Sequence, residues 1–247
     1  MQSVIDSQSN TRLNNWLPML IFTVGVWVHL FGIGRMSLWA DEAFTWFAAV
    51  NVPPANVLTD ALIRTDVHPP LYPLIMSVWV RLVGESAVGL RAFSALCGMA
   101  AMPAIYHFTR RLFNRRAGLI ALGLSAISPI ITYYSGEARM YTLALCAVAW
   151  ALYGLVLMLW SGRRARGWVL FVGGAVTALY TLYMAVLPFI GAGTWVLLSR
   201  RGRARWRWWL SAAALIGIVY LPQLSTLAAQ TSEVLGNYWA PPPPPNN

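Results

Sequence analysis

The stretch YTLALCAVAWALYGLVLMLW, Tyr141 to Trp160, contains no charged residue. It matches the roughly 20 apolar residues that a helix needs to cross the hydrocarbon core of a bilayer, and as a helix it satisfies its own backbone there. Arg163, Arg164 and Arg166 follow it, and Glu137 precedes it within YYSGEARMY, Tyr133 to Tyr141. The same alternation of apolar runs and short polar breaks extends along the chain, which is 58% hydrophobic and only 11% charged. Soluble domains are about a quarter charged. The sequence therefore predicts an all-α polytopic integral membrane protein.

All 18 basic residues are arginines, and most fall in three clusters free of acids. These are Arg110, Arg111, Arg115 and Arg116; Arg163, Arg164 and Arg166; and Arg200, Arg201, Arg203, Arg205 and Arg207. The net charge of +10 is thus concentrated where the positive-inside rule marks cytoplasmic loops. That distribution points to anionic membrane lipids, not nucleic acid, as partners. Placing the clusters inside gives about seven transmembrane helices: Trp16 to Gly34, Glu85 to Phe108, Ala117 to Tyr134, Tyr141 to Trp160, Trp168 to Tyr183, Ala185 to Leu198 and Trp208 to Leu224. Every acidic residue except Asp6 then faces outward from the cell membrane.

A long first outer loop, Leu38 to Gly84, carries Pro53, Pro54, Pro69 and Pro70 and suits short interfacial helices. Residues 1–224 read as one transmembrane module and 225–247 as an outer Pro-rich tail or truncated loop. Cys97 and Cys146 fall in apolar segments, so no disulfide framework is implied. The sequence has no phosphate-binding loop, dinucleotide fingerprint or spaced Cys/His motif, and no nucleotide cofactor is expected.

Three polar stretches share the outer face: LWADEAF (Leu38 to Phe44), RTDVHPPLY (Arg64 to Tyr72) and YYSGEARMY. Asp41 and Glu42 are adjacent, so their side chains point in different directions and take different roles. A carboxylate there can accept a proton from an alcohol, coordinate a divalent ion or cap a helix over Ala43 to Ala49. The sequence leaves the choice between the two residues open. His68, beside the stiff Pro69–Pro70 step, can donate to a phosphate or sugar oxygen, with an ordinary turn histidine as the alternative. Asp66 reads more readily as a structural turn residue.

Arg139 at the membrane boundary needs a partner. A lipid phosphate suits its multidentate fork, and an internal pair with Glu137 is the other reading. Glu137 and Tyr141 are four apart and share a face if both are helical. Tyr133, Tyr134 and Tyr141 can order a sugar or form an interfacial aromatic belt, and the same two readings apply to Tyr180 and Tyr183. Arg91 either snorkels outward or meets a carboxylate.

In their order, these stretches resemble the membrane-embedded C-type (GT-C) glycosyltransferases of the protein O-mannosyltransferase and aminoarabinose-transferase-like superfamily, which is glycosyltransferase family 39-like. LWADEAFTW looks like that family's acidic outer-loop signature and HPPLYPLIMSVWVRLVG like its next one. ESAVGLRAFSALCG, RRLFNRRAG and SPIITYYSGEARMYTL then follow in sequence. The resemblance runs from the first crossing to about residue 224. It implies transfer of a sugar from a polyprenyl-phosphate donor to a protein, lipid or glycan acceptor at the extracytoplasmic face.

By the same resemblance, Asp41 is the candidate for acceptor activation or metal-assisted positioning, with Glu42 beside it. His68 takes the donor side, and Arg139 the leaving phosphate. Some members carry an acid two positions after that arginine where this chain has Tyr141, and Glu137 is the candidate to supply the missing charge. Tyr134, Tyr141 and Tyr183 complete the candidate substrate-binding set. A divalent cation at Asp41 is the cofactor that the resemblance allows. Family members are usually longer, so the chain is expected to be an amino-terminal portion that works with a C-terminal region or a partner subunit. A lipid-linked-sugar flippase or transporter, or a noncatalytic scaffold subunit, are the competing functions.

Overall fold

The computed structural model describes residues 2–60, 63, 66–160 and 163–236, and among them every regular element is a helix. α1 (Gln2–Leu30) leads to α2 (Ala40–Asn51), and a 3₁₀ turn (Pro54–Asn56) precedes α3 (Leu71–Val83). Next come α4 (Ala87–Leu112), α5 (Arg115–Ile127), α6 (Pro129–Ser135), α7 (Tyr141–Trp160) and α8 (Arg164–Leu179). A second 3₁₀ turn (Tyr183–Ala185), α9 (Val186–Leu198), the short α10 (Arg200–Ala204) and α11 (Trp206–Gly236) complete the fold. α11 continues past Leu224, where the sequence reading ends the transmembrane module, and residues 237–247 of the expected tail lie outside the described residues.

Local chemistry sets the boundaries. Ser86, Asn114 and Ser128 accept from the N–H groups of Gly89, Ala117 and Ile131 at 3.1, 3.0 and 3.4 Å, satisfying donors that a helix start leaves unpaired. Pro129 fills the first position of α6, where no N–H is needed. Gly84, at φ 85°, ends α3 in a conformation that a side chain would resist.

The expectation of about seven crossings is overturned. Among the described residues, three helices are long and apolar enough to cross a membrane: Ala87–Leu112, Tyr141–Trp160 and Trp206–Ser232. Arg115–Ile127 and Pro129–Ser135 make a fourth if that pair, bent by 51°, is one span. The other apolar segments are too short, either as the apolar part of a longer helix (α1) or as whole helices. Trp16–Leu30 and Tyr183–Leu198 fall below the required length, and α8 has 16 residues beginning at Arg164. At 1.5 Å per residue it covers only about 24 Å of a core about 30 Å thick. Hydrophobic composition was legible, whereas the length of continuous helix was not.

α7 and α8 lie backbone to backbone. A Cβ on Gly154 would sit 2.5 Å from the Phe171 nitrogen, and one on Gly174 would sit 2.6 Å from the Ala147 carbonyl oxygen. Small residues at such crossings let helices gain dispersion and weak C–H···O contacts without an aqueous driving force. Around them, Leu155, Met158, Leu159, Phe171 and Val172 bury themselves with Val196 of α9 and Ala212 of α11. Gly173, in contrast, has nothing within 4 Å of its would-be Cβ. Gly174→Leu is therefore expected to destabilise the purified protein by about 3 kcal/mol or more, whereas Gly173→Ala stays within about 0.5 kcal/mol. Thermal denaturation in detergent checks the pair, and equal melting temperatures would refute the close-packing account.

Candidate active site

Trp39 precedes the first turn of α2, which carries both Asp41 and Glu42, where carboxylates favour the positive end of the helix dipole. The two side chains diverge. Glu42 is fully buried and accepts from Arg91 Nε at 2.8 Å and Nη2 at 2.6 Å. It also accepts from the Ala138 N–H at 2.8 Å and, more distantly, from the Trp39 N–H at 3.4 Å. Arg91 uses its remaining donors on the carbonyls of Ile33, Met36 and Ser37 at 3.0, 2.8 and 3.0 Å. Burial alone would push the Glu42 carboxyl up, but Arg91 and the backbone N–H groups outweigh it and hold the group below the ordinary carboxylate range.

Asp41 takes the other direction. Its side chain is 46% exposed, and its carboxylate stands 3.8 Å from Arg139 Nη2. Arg139 Nη1 also donates to the Asp41 carbonyl at 3.4 Å. Arg139 is itself buried, and its Nε has no hydrogen-bond partner. The loop that carries it is pinned from two sides, by the Ala138 N–H on Glu42 and by Ser94 Oγ, which donates to the Arg139 carbonyl at 3.2 Å.

A tight cleft runs between α2, the segment before α3 and this loop, lined by Thr45, Asp66, His68, Tyr72 and Arg139 among others. The buried Tyr72 hydroxyl also makes no well-formed hydrogen bond, although Ser94 lies near it. Burial pushes that phenol's ionisation well up, so it is available as a neutral donor. Unpaired buried polar atoms are costly, and here two of them belong to residues of one cleft. His68 Nδ1 pairs with Asp66 Oδ1 at 2.8 Å, which leaves Nε2 as the nitrogen available to a ligand.

The remaining predicted residues occupy different surroundings. Glu137 is buried and lies in the break between α6 and α7, so it does not share a helical face with Tyr141. Its carboxylate faces the Tyr133 hydroxyl, and its carbonyl accepts from the Arg139 N–H at 2.8 Å. The rings of Tyr134 and Tyr141 lie 4.5 Å apart at an apolar groove of about 360 Å³ shared with Ile131, Leu182 and Pro188.

The Tyr183 hydroxyl donates to Gln230 Oε1 at 2.6 Å and accepts from Gln223 Nε2 at 2.9 Å. Gln230 in turn donates to the Asp66 carbonyl. Tyr183 thus reaches the His68 segment through Gln230 and is absent from the lining of the Arg139 cleft. Sequence reasoning left Arg91 without an assigned partner and missed Tyr72, Ser94 and Gln230. A usable signal existed for Arg91, since an arginine within an apolar helix must find a carboxylate or carbonyls. Tyr72, Ser94 and Gln230 carry no local pattern that marks them.

Among the described residues, no three His, Cys, Asp or Glu side chains group so as to hold a metal ion. With Glu42 committed to Arg91 and Asp41 facing Arg139, the side chains here do not form a ready ligand set for a divalent cation.

Residues 67–226 match the family model described as dolichyl-phosphate-mannose-protein mannosyltransferase, and the chain belongs to this family within the GT-C-like superfamily. No curated protein matches the chain. The matched segment contains His68, Tyr134, Glu137, Arg139, Tyr141 and Tyr183 and begins after Asp41 and Glu42. Family membership carries glycosyltransferase activity as a class, and the long apolar helices make this a membrane-associated protein.

Removing the Glu42 charge strips buried Arg91 of the carboxylate it contacts and leaves only the more distant charge of Glu137. Glu42→Gln is therefore expected to cost about 3–5 kcal/mol in denaturation of the purified protein. The lowered ionisation also fixes a pH dependence. The carboxyl contributes its full stabilisation above the ordinary glutamate value of about 4.3 and loses it as pH falls through the lower folded value. Melting curves between pH 7 and 3 should fall more steeply for the native chain than for Glu42→Gln, and parallel profiles would contradict the assignment.

Proposed function

We propose that this chain forms a membrane module that transfers a glycosyl group from a polyprenyl-phosphate-linked sugar to an acceptor hydroxyl at the extracytoplasmic face. The observation that supports it best is the exposed Asp41 carboxylate set against the buried Arg139, whose Nε awaits an acceptor. In this reading the acceptor oxygen bonds to the anomeric carbon as the anomeric C–O bond to phosphate breaks. The electron pair departs with the polyprenyl phosphate.

Asp41 takes the acceptor's proton as the oxygen attacks. Arg139 and the Tyr72 hydroxyl donate to phosphate oxygens on which charge develops, and His68 joins them through Nε2 when protonated. Glu42 and Arg91 act as positioning residues, since their hydrogen bonds are spent on each other and on the backbone. Glu137 lends further negative charge near Arg91. Tyr134 and Tyr141 flank the groove where a sugar or acceptor would rest against apolar carbon, and Tyr183 steadies the His68 segment through Gln230.

Charge supports the outward assignment. α4 carries Arg91 near one end and Arg110 and Arg111 at the other, and the positive-inside rule keeps the latter in the cytoplasm. The family's description names a dolichyl-phosphate-mannose donor and a protein acceptor, so polyprenyl-phosphate mannose and protein hydroxyls are the first substrates to test.

The decisive assay supplies that donor to membranes containing the chain and follows donor loss and mannosylated product by mass spectrometry. Asp41→Asn and Arg139→Gln should each lower transfer by roughly 10²- to 10³-fold while membrane levels of the protein hold, and Arg205→Gln should transfer normally. Unchanged transfer by Asp41→Asn would remove that residue from the mechanism. Donor translocation without consumption would replace the transferase with a flippase.

A further inference from the structure

α8, α9 and α11 enclose a groove of about 760 Å³ whose lining carries no charged residue. Its walls include Phe171 and Leu179 of α8, Phe189 and Ile190 of α9, and Trp209 and Tyr220 of α11. Two hydroxyls on the lining are committed elsewhere. Thr194 Oγ1 donates to the Ile190 carbonyl at 2.9 Å, and the Tyr183 hydroxyl is bonded to Gln223 and Gln230. The groove therefore offers chiefly carbon to an occupant, and a hydrocarbon chain is the chemistry that fits it.

Depth decides between kinds of chain. Along α11 the lining runs from Trp209 to Leu227, about 27 Å at 1.5 Å per residue, against a hydrocarbon core about 30 Å thick. An acyl chain anchored in one leaflet covers about half of that core, whereas a long polyprenyl chain continues into the other half. Two glycines shape the interior. A Cβ on Gly193 would sit 3.3 Å from the Trp209 ring, so glycine there lets the ring close against α9 at the deep end. A Cβ on Gly217 would meet nothing within 4 Å, which leaves the groove open at mid-depth, about 15 Å along α11 from Leu227.

The shallow end of the groove is tied to the segment that carries His68. Leu179 is followed by Tyr180, whose carbonyl accepts from the Leu71 N–H at 3.1 Å, and Tyr183 reaches the Asp66 carbonyl through Gln230. The deep end, at Leu197 and Trp209, adjoins the arginines that the positive-inside rule keeps in the cytoplasm. We infer that this groove seats the polyprenyl chain of the donor across nearly the whole bilayer and so selects chains longer than one leaflet. The inference rests on the transferase reading for the phosphate at the shallow end and adds the length of chain that the protein accepts. Surrounding lipid is as apolar as the walls, so the preference comes from dispersion contacts, which accumulate with the length of chain seated.

Native mass spectrometry of the purified chain in detergent tests it with undecaprenyl phosphate, geranyl phosphate and dioleoyl phosphatidic acid, which share a phosphate monoester and differ in hydrocarbon. Undecaprenyl phosphate should bind at least about tenfold more tightly than either of the others. Gly217→Phe fills the open mid-depth position and should lose about tenfold in undecaprenyl phosphate affinity, while geranyl phosphate, too short to reach it, binds as before. Thr194→Trp, from the facing wall, should act in the same direction and serves if Gly217→Phe lowers the melting temperature. Gly173→Phe adds the same ring at a glycine that also has open space but lies outside the groove, and it should bind all three probes normally. Geranyl phosphate or phosphatidic acid bound as tightly as undecaprenyl phosphate by the native chain would overturn the inference. Equal losses in Gly217→Phe and Gly173→Phe, or unaltered binding in both groove variants, would do the same. No transfer is needed for this readout, so the expected pattern in a chain that transfers no sugar would uphold the groove and sink the transferase reading.

Discussion

The buried pair of Arg91 and Glu42 is the constraint on which the rest of the structure depends. Removing two charges from water is expensive, and the mutual attraction offsets that cost only when the geometry is good and every donor is matched. Both conditions are met. Arg91 makes five hydrogen bonds, two to Glu42 and three to carbonyls of the turn after α1. Glu42 spends its remaining capacity on the Ala138 N–H. One ion pair thereby gathers the end of α1, the start of α2, the body of α4 and the loop before α7. Because neighbouring side chains on a helix diverge, sending Glu42 inward obliges Asp41 to turn outward, where it meets Arg139.

A second, uncharged device brings that loop within reach. The chain bends by 51° between α5 and α6, and His29 of α1 spans the bend. Its Nε2 lies 3.4 Å from the Ser125 carbonyl oxygen, and its Nδ1 lies 2.8 Å from Ser135 Oγ. With Nε2–H donating to the carbonyl, Nδ1 accepts the hydroxyl proton of Ser135. Gly98 of α4 leaves room for that hydroxyl, where a Cβ would collide with it. The bend therefore involves four helices at once, α1, α4, α5 and α6, and it delivers Gly136–Met140 to the vicinity of α2 instead of letting α6 run on into α7.

How much of this was legible follows the same division. α7 was legible because nothing interrupts its apolar run, and so were the three polar stretches that contain Asp41, His68 and Arg139. The number of crossings was not. α9 is as apolar as a span, yet a 3₁₀ turn before it and the Ser199 break after it confine its hydrogen-bonded length, which composition does not report. The pairing of Glu137 with Tyr141 on one face assumed a continuous helix, and the break at 136–140 removes it. Which of Asp41 and Glu42 would be buried depended on where α4 places Arg91, a long-range fact 49 residues away in sequence. Tyr72, meanwhile, belongs to the cleft only because α3 packs against α2 and the loop, with Ala49, Met76 and Met140 closing around it.

The two acid–arginine pairs of this face differ in a way that bears on chemistry. Glu42 and Arg91 are in contact at 2.6 Å, and both are buried, so breaking them strands charge in a low dielectric. Asp41 and Arg139 stand 3.8 Å apart with the aspartate nearly half exposed, a geometry in which solvent screens the attraction and the pair contributes little. In the proposed reaction Arg139 turns part of its donor set to the phosphate without a large cost, and its unpartnered Nε gains an acceptor in doing so. The tight pair beside it holds the first turn of α2 and the 136–140 loop together, and so keeps Asp41 and Arg139 in register across their loose contact.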